Sequence, residues 1–437
     1  MKLIISVTLL LLAMNVSAQN FDRQKMDSLF SLIDKKQKGM GSVSLFMNGE
    51  EVYQKSIGFA DVENKILADK DTKYRVGSVT KMFTASMIIQ LVEEGKISLD
   101  TTLDQFFPAI NHADKITIRH LLTHQSGIFN FTNAADYTQW MEQPISQEKL
   151  LEKIIANGSV FEPGEKSEYS NSNYVLLSFI AEKLDKKPYA KILEDRICKP
   201  LQLKATAYGD QIESSKNEAL SYHKAANWVK ATETDMSVPI GAGALVSTPN
   251  DLNRFLNAFY NSKLFSTSSL SSMMKIKDSF GMGMFQAPFY EKKAFGHTGG
   301  VDGFQSFAFY FPDEKVSIAY TSNGVLYPVN DIIIGVLSIY FEKDYQFPDF
   351  TEIKINEEEL KQYTGVYASE GLPIKITITQ HDNQLIGQAT GQPPFPLEPI
   401  TNNSFKFEQA KVVMDFNPDD KTMILKQGGQ EYKFSQE

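Results

Sequence analysis

The sequence predicts an α+β fold followed by a small antiparallel β-barrel. Alternating patterns typical of strands occur at residues 42–57 and again from residue 295, and most helical patterns lie between them. From about residue 363 the sequence changes to short, evenly spaced strands separated by turn residues, which is the pattern of a small barrel. A length of 437 residues is enough for two or three domains with substantial cores.

Local signals define the individual elements. Asn48-Gly49 favours a tight hairpin turn between the strands 42–47 and 51–57. Residues 344–350 are the best candidate for a linker. We therefore predict two domains, at 19–345 and 351–437, after an amino-terminal segment at 1–18. Three antiparallel strands are expected at 295–300, 303–311 and 316–322. Apolar residues at helical spacing predict helices at 21–36, 79–95, 147–155, 174–184, from 249 and at 330–341.

Residues 1–18 have the pattern of a secretory signal peptide. Lys2 precedes a mostly apolar run that ends in Val16-Ser17-Ala18, and the next residue is Gln19 rather than the Cys of a lipoprotein. The alternative is an uncleaved membrane anchor, but the apolar run is short for a membrane span. We therefore expect a periplasmic protein with no stable membrane anchor after cleavage.

Composition restricts the possible partners. The formal charge is 44 − 53 = −9, which argues against non-specific binding to nucleic acid and against a polybasic membrane patch. Cys198 is the only cysteine, so an internal disulfide is impossible and we interpret it as a core residue. A small-molecule or peptide substrate is the expected partner, and composition does not determine the oligomeric state.

The segment 74–95 is the strongest candidate for an active-site element. A helix that begins just after Ser78 places Lys81 one turn further on, on the same face. A serine hydroxyl needs a neighbouring base to become a nucleophile, and a lysine can be that base where burial disfavours its charge. The alternative is an ordinary exposed helix start, which we assign to the other Ser-x-x-Lys copies at Ser146, Ser221 and Ser272.

Tyr169-Ser170-Asn171 could supply two further groups to the same site. A phenol close to a buried lysine can relay a proton, and an amide side chain can hydrogen-bond the acyl part of a substrate. The alternative is a loop tyrosine followed by an asparagine that caps a helix.

His297-Thr298-Gly299-Gly300 precedes an apolar strand. Glycines at such a position let another backbone approach closely, as a substrate-binding edge strand requires. The alternative is a strand entry with a buried histidine.

In this order, the three motifs resemble those of the penicillin-recognising serine hydrolase superfamily. That superfamily includes class C β-lactamases, D,D-carboxypeptidases, D-aminopeptidases and related esterases, and the resemblance covers about residues 25–343. It implies an antiparallel sheet flanked by helices, a helical subdomain, and an active site between them. The region 351–437 resembles the lipocalin-like barrels appended to some members, and we expect it to be an accessory domain.

The resemblance also implies a role for each motif residue. Ser78 would be the acylated nucleophile, Lys81 its base and Tyr169 the proton shuttle. The oxyanion hole would be formed by the backbone N–H groups of Ser78 and Gly300. The expected substrate contacts are Asn171, His297, Thr298 and Gly299.

His297 departs from the commonest form of the third motif, which begins with lysine in β-lactamases and D,D-peptidases. A neutral imidazole is a weaker anchor for a substrate carboxylate than a fixed ammonium group. The departure favours an esterase, or a peptidase that requires a different substrate terminus, over a β-lactamase.

Other enzyme classes lack their motifs in this sequence. Gly-x-Ser-x-Gly, Gly-Lys-Ser/Thr and His-Glu-x-x-His do not occur, which argues against an α/β-hydrolase elbow, a P-loop and a zinc protease site. His120 and His124 could form a metal-binding face, but their loop favours a structural role. We therefore expect no cofactor and no metal.

The predicted function is that of a secreted serine hydrolase. It would cleave an ester or amide through an acyl-enzyme, as an esterase, D-aminopeptidase or D,D-carboxypeptidase. The alternative is a non-catalytic module that senses peptidoglycan fragments or β-lactams.

Overall fold

The computed structural model describes residues 21–224, 227–350, 353 and 355–437. The predicted signal peptide at 1–18 lies outside these residues. Within the described ranges, every helix is too short or too polar to cross a membrane.

Helices occupy the middle of the chain and flank the main sheet. They are α1 Arg23–Lys35, α2 Thr80–Glu93, α3 Ile118–Leu122, α4 Tyr137–Trp140, α5 Gln147–Asn157, α6 Asn171–Asp185, α7 Tyr189–Leu193, α8 Lys199–Leu201, α9 Ile240–Gly243, α10 Pro249–Tyr260, α11 Thr267–Met273, α12 Val329–Tyr340 and α13 Glu357–Lys361.

Strands form the main sheet, two small sheets and the barrel. Before the barrel they are β1 Gly39–Met47, β2 Glu50–Ile57, β3 Phe59–Asp61, β4 Ile66–Leu67, β5 Tyr74–Arg75, β6 Ala207–Tyr208, β7 Tyr222–Lys224, β8 Trp228–Lys230, β9 Leu245–Ser247, β10 Phe285–Phe289, β11 Lys292–Val301, β12 Phe304–Phe311 and β13 Val316–Val325. The barrel consists of β14 Gly365–Ala368, β15 Lys375–His381, β16 Gln384–Ala389, β17 Phe395–Pro399, β18 Ser404–Phe407, β19 Val412–Asn417, β20 Thr422–Gln427 and β21 Gln430–Gln436.

The main sheet brings the two ends of the hydrolase-like region together. Its antiparallel order is β10-β11-β12-β13-β1-β2, so the amino-terminal hairpin pairs with the last strand of the run that begins after α11. Val43 lies opposite Tyr320, and both side chains face α1 and α12 across one core. A second core, on the other face, contains α2, α6 and α10. The predicted α+β class is confirmed.

Helix α2 is buried on every side rather than on one apolar face. Thr80, Lys81, Thr84 and Ser86 are as inaccessible as the apolar residues between them, because α6 and α9 cover the faces that the sheet leaves open. Polar atoms in such a helix must find partners inside the protein.

The structure also differs from the sequence prediction at three places. Helix α6 begins at Asn171 rather than near residue 174, because the Asn171 N–H finds a distant partner in Asn130 Oδ1 at 3.0 Å. The segment 241–245 forms α9 and β9 before α10 begins. Strand β10 was not predicted, and it pairs with the first half of β11.

The carboxyl-terminal strands close into an eight-stranded antiparallel barrel, as predicted. Tyr367 pairs with Gln436 to close the ring, and a core that includes Phe405, Met414 and Phe416 fills the interior. The barrel contacts the hydrolase-like region through specific polar bonds, among them an ion pair of 3.0 Å between Lys38 and Glu398.

Candidate active site

Ser78 lies in a tight turn that leads into α2. A 3₁₀ turn at Gly77–Val79 precedes the helix, and Gly77 has a φ of +50°, in the left-handed region that favours glycine. A Cβ at Gly77 would lie 2.7 Å from the Gly300 nitrogen. Glycine therefore permits both the turn and its close contact with β11.

Lys81 is fully buried and directed at Ser78. Its Nζ lies 3.0 Å from Ser78 Oγ, 2.7 Å from Asn171 Oδ1 and 2.7 Å from the Ala242 carbonyl oxygen. Burial lowers the pKa of the Lys81 ammonium well below its usual range, because the charged form loses its hydration. A neutral amine has two N–H donors and one lone pair. Asn171 and Ala242 can accept the two N–H groups, which leaves the lone pair for the Ser78 hydroxyl proton.

Tyr169 approaches Ser78 from the opposite side. Its hydroxyl donates to Ser78 Oγ at 2.8 Å, and its ring centroid lies 4.9 Å from Lys81 Nζ. Burial raises the pKa of Tyr169 above its ordinary value, the largest effect on this phenol. Ser78 Oγ therefore hydrogen-bonds one neutral amine, which can act as a base, and one protonated phenol, which can act as an acid.

Asn171 connects the nucleophile to the loop in front of it. Its side-chain oxygen accepts from Lys81, and its Nδ2 donates to Thr132 Oγ1 at 3.1 Å. The amide therefore has a fixed orientation at the wall of the cleft, with one N–H used by Thr132 and a second available to a substrate carbonyl.

The predicted oxyanion donors lie on two backbone segments in contact. Ser306 Oγ donates to the Val76 carbonyl at 2.7 Å and joins β12 to the turn before Ser78. A Cβ at Gly299 would collide with that carbonyl and lie 3.0 Å from the Ser78 nitrogen. Gly299 and Gly300 line the cleft, so the N–H groups of Ser78 and Gly300 belong to adjoining stretches of backbone at its floor.

His297 lies apart from the other predicted substrate contacts. Only 2% of the residue is exposed, and it is absent from the residues that line the cleft, whereas Thr298 is exposed there. Its ring stacks 4.1 Å from Phe285 and faces Tyr169 at 6.1 Å, and its Nδ1 bonds the Thr298 carbonyl. Burial lowers the pKa of His297 to about 3, because the charged imidazolium would lose its hydration. The imidazole is therefore a neutral neighbour of Tyr169, whereas we expected it to contact substrate.

The cleft in front of Ser78 has a volume of about 1080 Å³. Its lining includes Phe131, Thr132, Tyr137 and Asn171 from the helical part of the fold, and residues of β12, β13, α12 and the barrel. Among the described residues that line it, none is lysine or arginine, and Asp302 is the only acidic one. Within the described lining, the cleft thus offers no lysine or arginine to a substrate carboxylate, and His223 is its one basic side chain.

Sequence reasoning missed two parts of the site. The Ala242 carbonyl, which bonds Lys81, is a backbone atom, and no residue type marks it. Arg75 is 2% exposed and bonds Asp302, Glu233 and the Thr234 carbonyl, all more than 150 residues away in sequence. In the sequence, the only available signal was an arginine three residues before the candidate nucleophile.

The remaining candidates have structural roles. His120 and Thr117 form a capping box at the start of α3, and His124 Nδ1 accepts the Ser170 N–H at 3.2 Å. Cys198 is buried, as predicted. Of the other Ser-x-x-Lys copies, Ser146 caps α5, Ser221 accepts the Gly303 N–H and Ser272 lies on α11.

Comparison with known proteins assigns the fold to one family. The model of the β-lactamase family matches residues 25–333, which is more than half of the chain. The chain belongs to the β-lactamase family. The resemblance stated from the three motifs is confirmed, and the protein is a β-lactamase-like serine hydrolase.

Three relatives indicate the range of the family. Penicillin-binding protein 4* of Bacillus subtilis (strain 168) is 25% identical over 445 residues, which cover 94% of this chain and 97% of that protein. Teichoic acid D-alanine hydrolase of Staphylococcus aureus (strain NCTC 8325 / PS 47) is 26% identical over 307 residues, or 69% and 72% of the two chains. The D-amino acid amidase from Ochrobactrum anthropi SV3 has a TM-score of 0.66 at 26% identity and covers 73% of this chain and 99% of its own.

Proposed function

We propose that this hydrolase cleaves an ester or amide through an acyl-enzyme on Ser78. The observation that carries the proposal is the placement of Ser78 Oγ between Lys81 Nζ, at 3.0 Å, and the Tyr169 hydroxyl, at 2.8 Å. Lys81 accepts the Ser78 proton as Oγ attacks the substrate carbonyl. The N–H groups of Ser78 and Gly300 stabilise the oxyanion that forms.

Collapse of the tetrahedral intermediate requires a proton on the leaving group. The Tyr169 hydroxyl donates it, and the Lys81 ammonium restores the phenol proton. In the second half of the reaction, the hydrolysis of the acyl-enzyme, water attacks the acyl carbonyl on Ser78. Lys81 and Tyr169 take the proton of that water and return one to Ser78 Oγ, so that the free enzyme and a carboxylic acid result.

The substrate that the cleft favours has no free carboxylate next to the reacting carbonyl. The absence of lysine and arginine among the described lining residues supports this choice, and so does the burial of His297. Among the relatives, one is named for D-alanine hydrolysis and another for D-amino acid amides. Esters or amides of D-amino acids are therefore the substrate class we propose, in preference to β-lactams and peptides with a terminal carboxylate.

Hydrolysis of p-nitrophenyl acetate by the wild type and by Ser78→Ala tests the nucleophile. We expect complete loss in Ser78→Ala and normal turnover in Ser272→Ala, which alters another Ser-x-x-Lys copy on α11. Unchanged turnover in Ser78→Ala would contradict the assignment. Binding of ligands without any acylation would instead support a sensor.

Intact mass after mixing with benzylpenicillin tests the substrate class. Because the described lining of the cleft contains no lysine or arginine for the penicillin carboxylate, we expect ester hydrolysis but no Ser78-dependent adduct. A stable adduct would indicate a penicillin-binding protein, and one that decays would indicate a β-lactamase. Export to the periplasm remains a proposal based on the pattern at 1–18, and fractionation of cells tests it.

A further inference from the structure

The barrel contributes a residue to the substrate cleft. Gln409 lies in the turn between β18 and β19 and lines the same cleft as Ser78 and Asn171. Its Nε2 donates to the Val325 carbonyl, at the end of β13, at 3.0 Å. That bond fixes the plane of the amide, so that Oε1 is the atom able to accept a hydrogen bond from a ligand.

The position of this turn is fixed from both sides. Gln427 Nε2 donates to the Ala410 carbonyl at 3.2 Å and joins the turn to β20. The barrel is held to the hydrolase-like region by the Lys38–Glu398 ion pair, whose side chains are 12% and 26% exposed. Gln409 is thus placed at the cleft by the docking of the barrel.

The lining contributed by β12, α12 and the barrel contains three neutral amide side chains. These are Gln305, Asn330 and Gln409, and the same elements contribute Phe307 and Val329. An amide side chain offers the same donor and acceptor as a peptide group. A volume of about 1080 Å³ also exceeds the roughly 300–1000 Å³ that a small-molecule site usually needs.

We propose that Gln409 completes a second subsite, which binds an uncharged peptide extension on the leaving-group side of the substrate. This inference rests on the proposed function, in which the Asn171 amide on α6 binds the acyl side of the substrate. The barrel is then a determinant of substrate length rather than a passive appendage. Gln409 is a specificity residue and does not touch the reacting atoms.

Calorimetric titration of full-length Ser78→Ala protein tests the subsite without turnover. The ligands are D-alaninamide and D-alanyl-triglycine amide, which differ only in the uncharged extension. We expect the longer ligand to bind at least about fivefold more tightly, which corresponds to roughly one hydrogen bond. Gln409→Ala in this background should remove that difference.

Two further variants keep the outcome decisive. Gln430→Ala, which alters an exposed glutamine at the start of β21, should keep the difference in affinity between the two ligands. Asn330→Ala alters the same subsite from α12 and leaves the barrel unchanged. It should therefore reduce the difference in affinity between the two ligands, even if Gln409→Ala loosens the barrel. Equal binding of the two ligands, no binding of either, or a difference unaffected by both subsite variants would overturn the proposal. Wild-type ester hydrolysis decides the proposed function separately.

Discussion

Arg75 and Asp302 form a buried ion pair of 3.1 Å that connects the two backbone segments on which the proposed oxyanion donors, Ser78 and Gly300, lie. Arg75 lies three residues before Ser78, and Asp302 lies two residues after Gly300. The guanidinium also donates to the Thr234 carbonyl at 2.8 Å and to Glu233 at 2.8 Å. The pair therefore ties the turn that carries the nucleophile to the strand that carries the second donor.

Breaking this pair should reduce both stability and turnover. In Arg75→Met the Asp302 carboxylate is left buried without its cation, which typically costs about 3 kcal/mol or more. We expect a lower midpoint of urea unfolding and a reduced kcat for p-nitrophenyl acetate. Arg119→Met is the matched control, because its pair with Asp100 is exposed and 3.7 Å long. Lower stability with an unchanged kcat would mean that the pair does not position the donors.

The lowered pKa of Lys81 should appear in the pH dependence of activity. Because the neutral amine is the base, kcat/KM should rise with pH and reach its plateau well below the usual lysine range of about 10.5. We expect substantial hydrolysis at neutral pH and none in Lys81→Met. Activity that appears only near pH 10 would show that Lys81 is charged in the folded protein.

The lowered pKa of Lys81 should also make the free energy of unfolding depend on pH. Between the folded pKa of Lys81 and about 10.5, the unfolded chain binds more protons than the folded one, so stability rises with pH. From about pH 8 to pH 10 the wild type should therefore gain stability relative to Lys81→Met, as measured by urea unfolding. Lys149→Met, at an exposed site on α5, should follow the wild type. Parallel curves for the wild type and Lys81→Met would contradict the expectation.

Tyr169→Phe should distinguish proton donation from packing. The variant keeps the ring against His124 but loses the hydroxyl that bonds Ser78. An amine leaving group needs a proton and p-nitrophenolate does not, so kcat should fall about 10²-fold or more for an amide and much less for the activated ester. Equal losses for the two substrates would assign Tyr169 to positioning of Ser78.

His297 should affect acid stability and not the pH–rate profile. With a pKa of about 3 it stays neutral when folded, whereas the unfolded chain protonates it near its ordinary value of about 6.5. Stability is therefore lost as the pH falls from about 6.5 towards about 3. We expect His297→Phe to lose less stability than the wild type on acidification, as followed by thermal unfolding. A changed midpoint of the acid limb of kcat/KM in His297→Gln would contradict a purely neutral role.

Some features could be predicted because their signals are local. The Asn48-Gly49 hairpin and the eight barrel strands follow from turn residues and alternation over a few positions. The spacing of Ser78 and Lys81 on one helix turn fixes their proximity before any tertiary contact forms. Helix α2 was harder to predict in detail, since a helix enclosed on all sides has no single apolar face.

The sequence alone identified the superfamily and the barrel and predicted Ser78 as nucleophile and Lys81 as its base, because short motifs and local turn signals carry these features. Only the tertiary structure decided that the Ala242 carbonyl bonds Lys81, that His297 is buried behind the cleft, and that Gln409 lines it. These are contacts between segments that lie far apart in the chain. Their physical cause is the packing of the sheet, the helices and the barrel against one another. No local pattern of residues predicts these contacts.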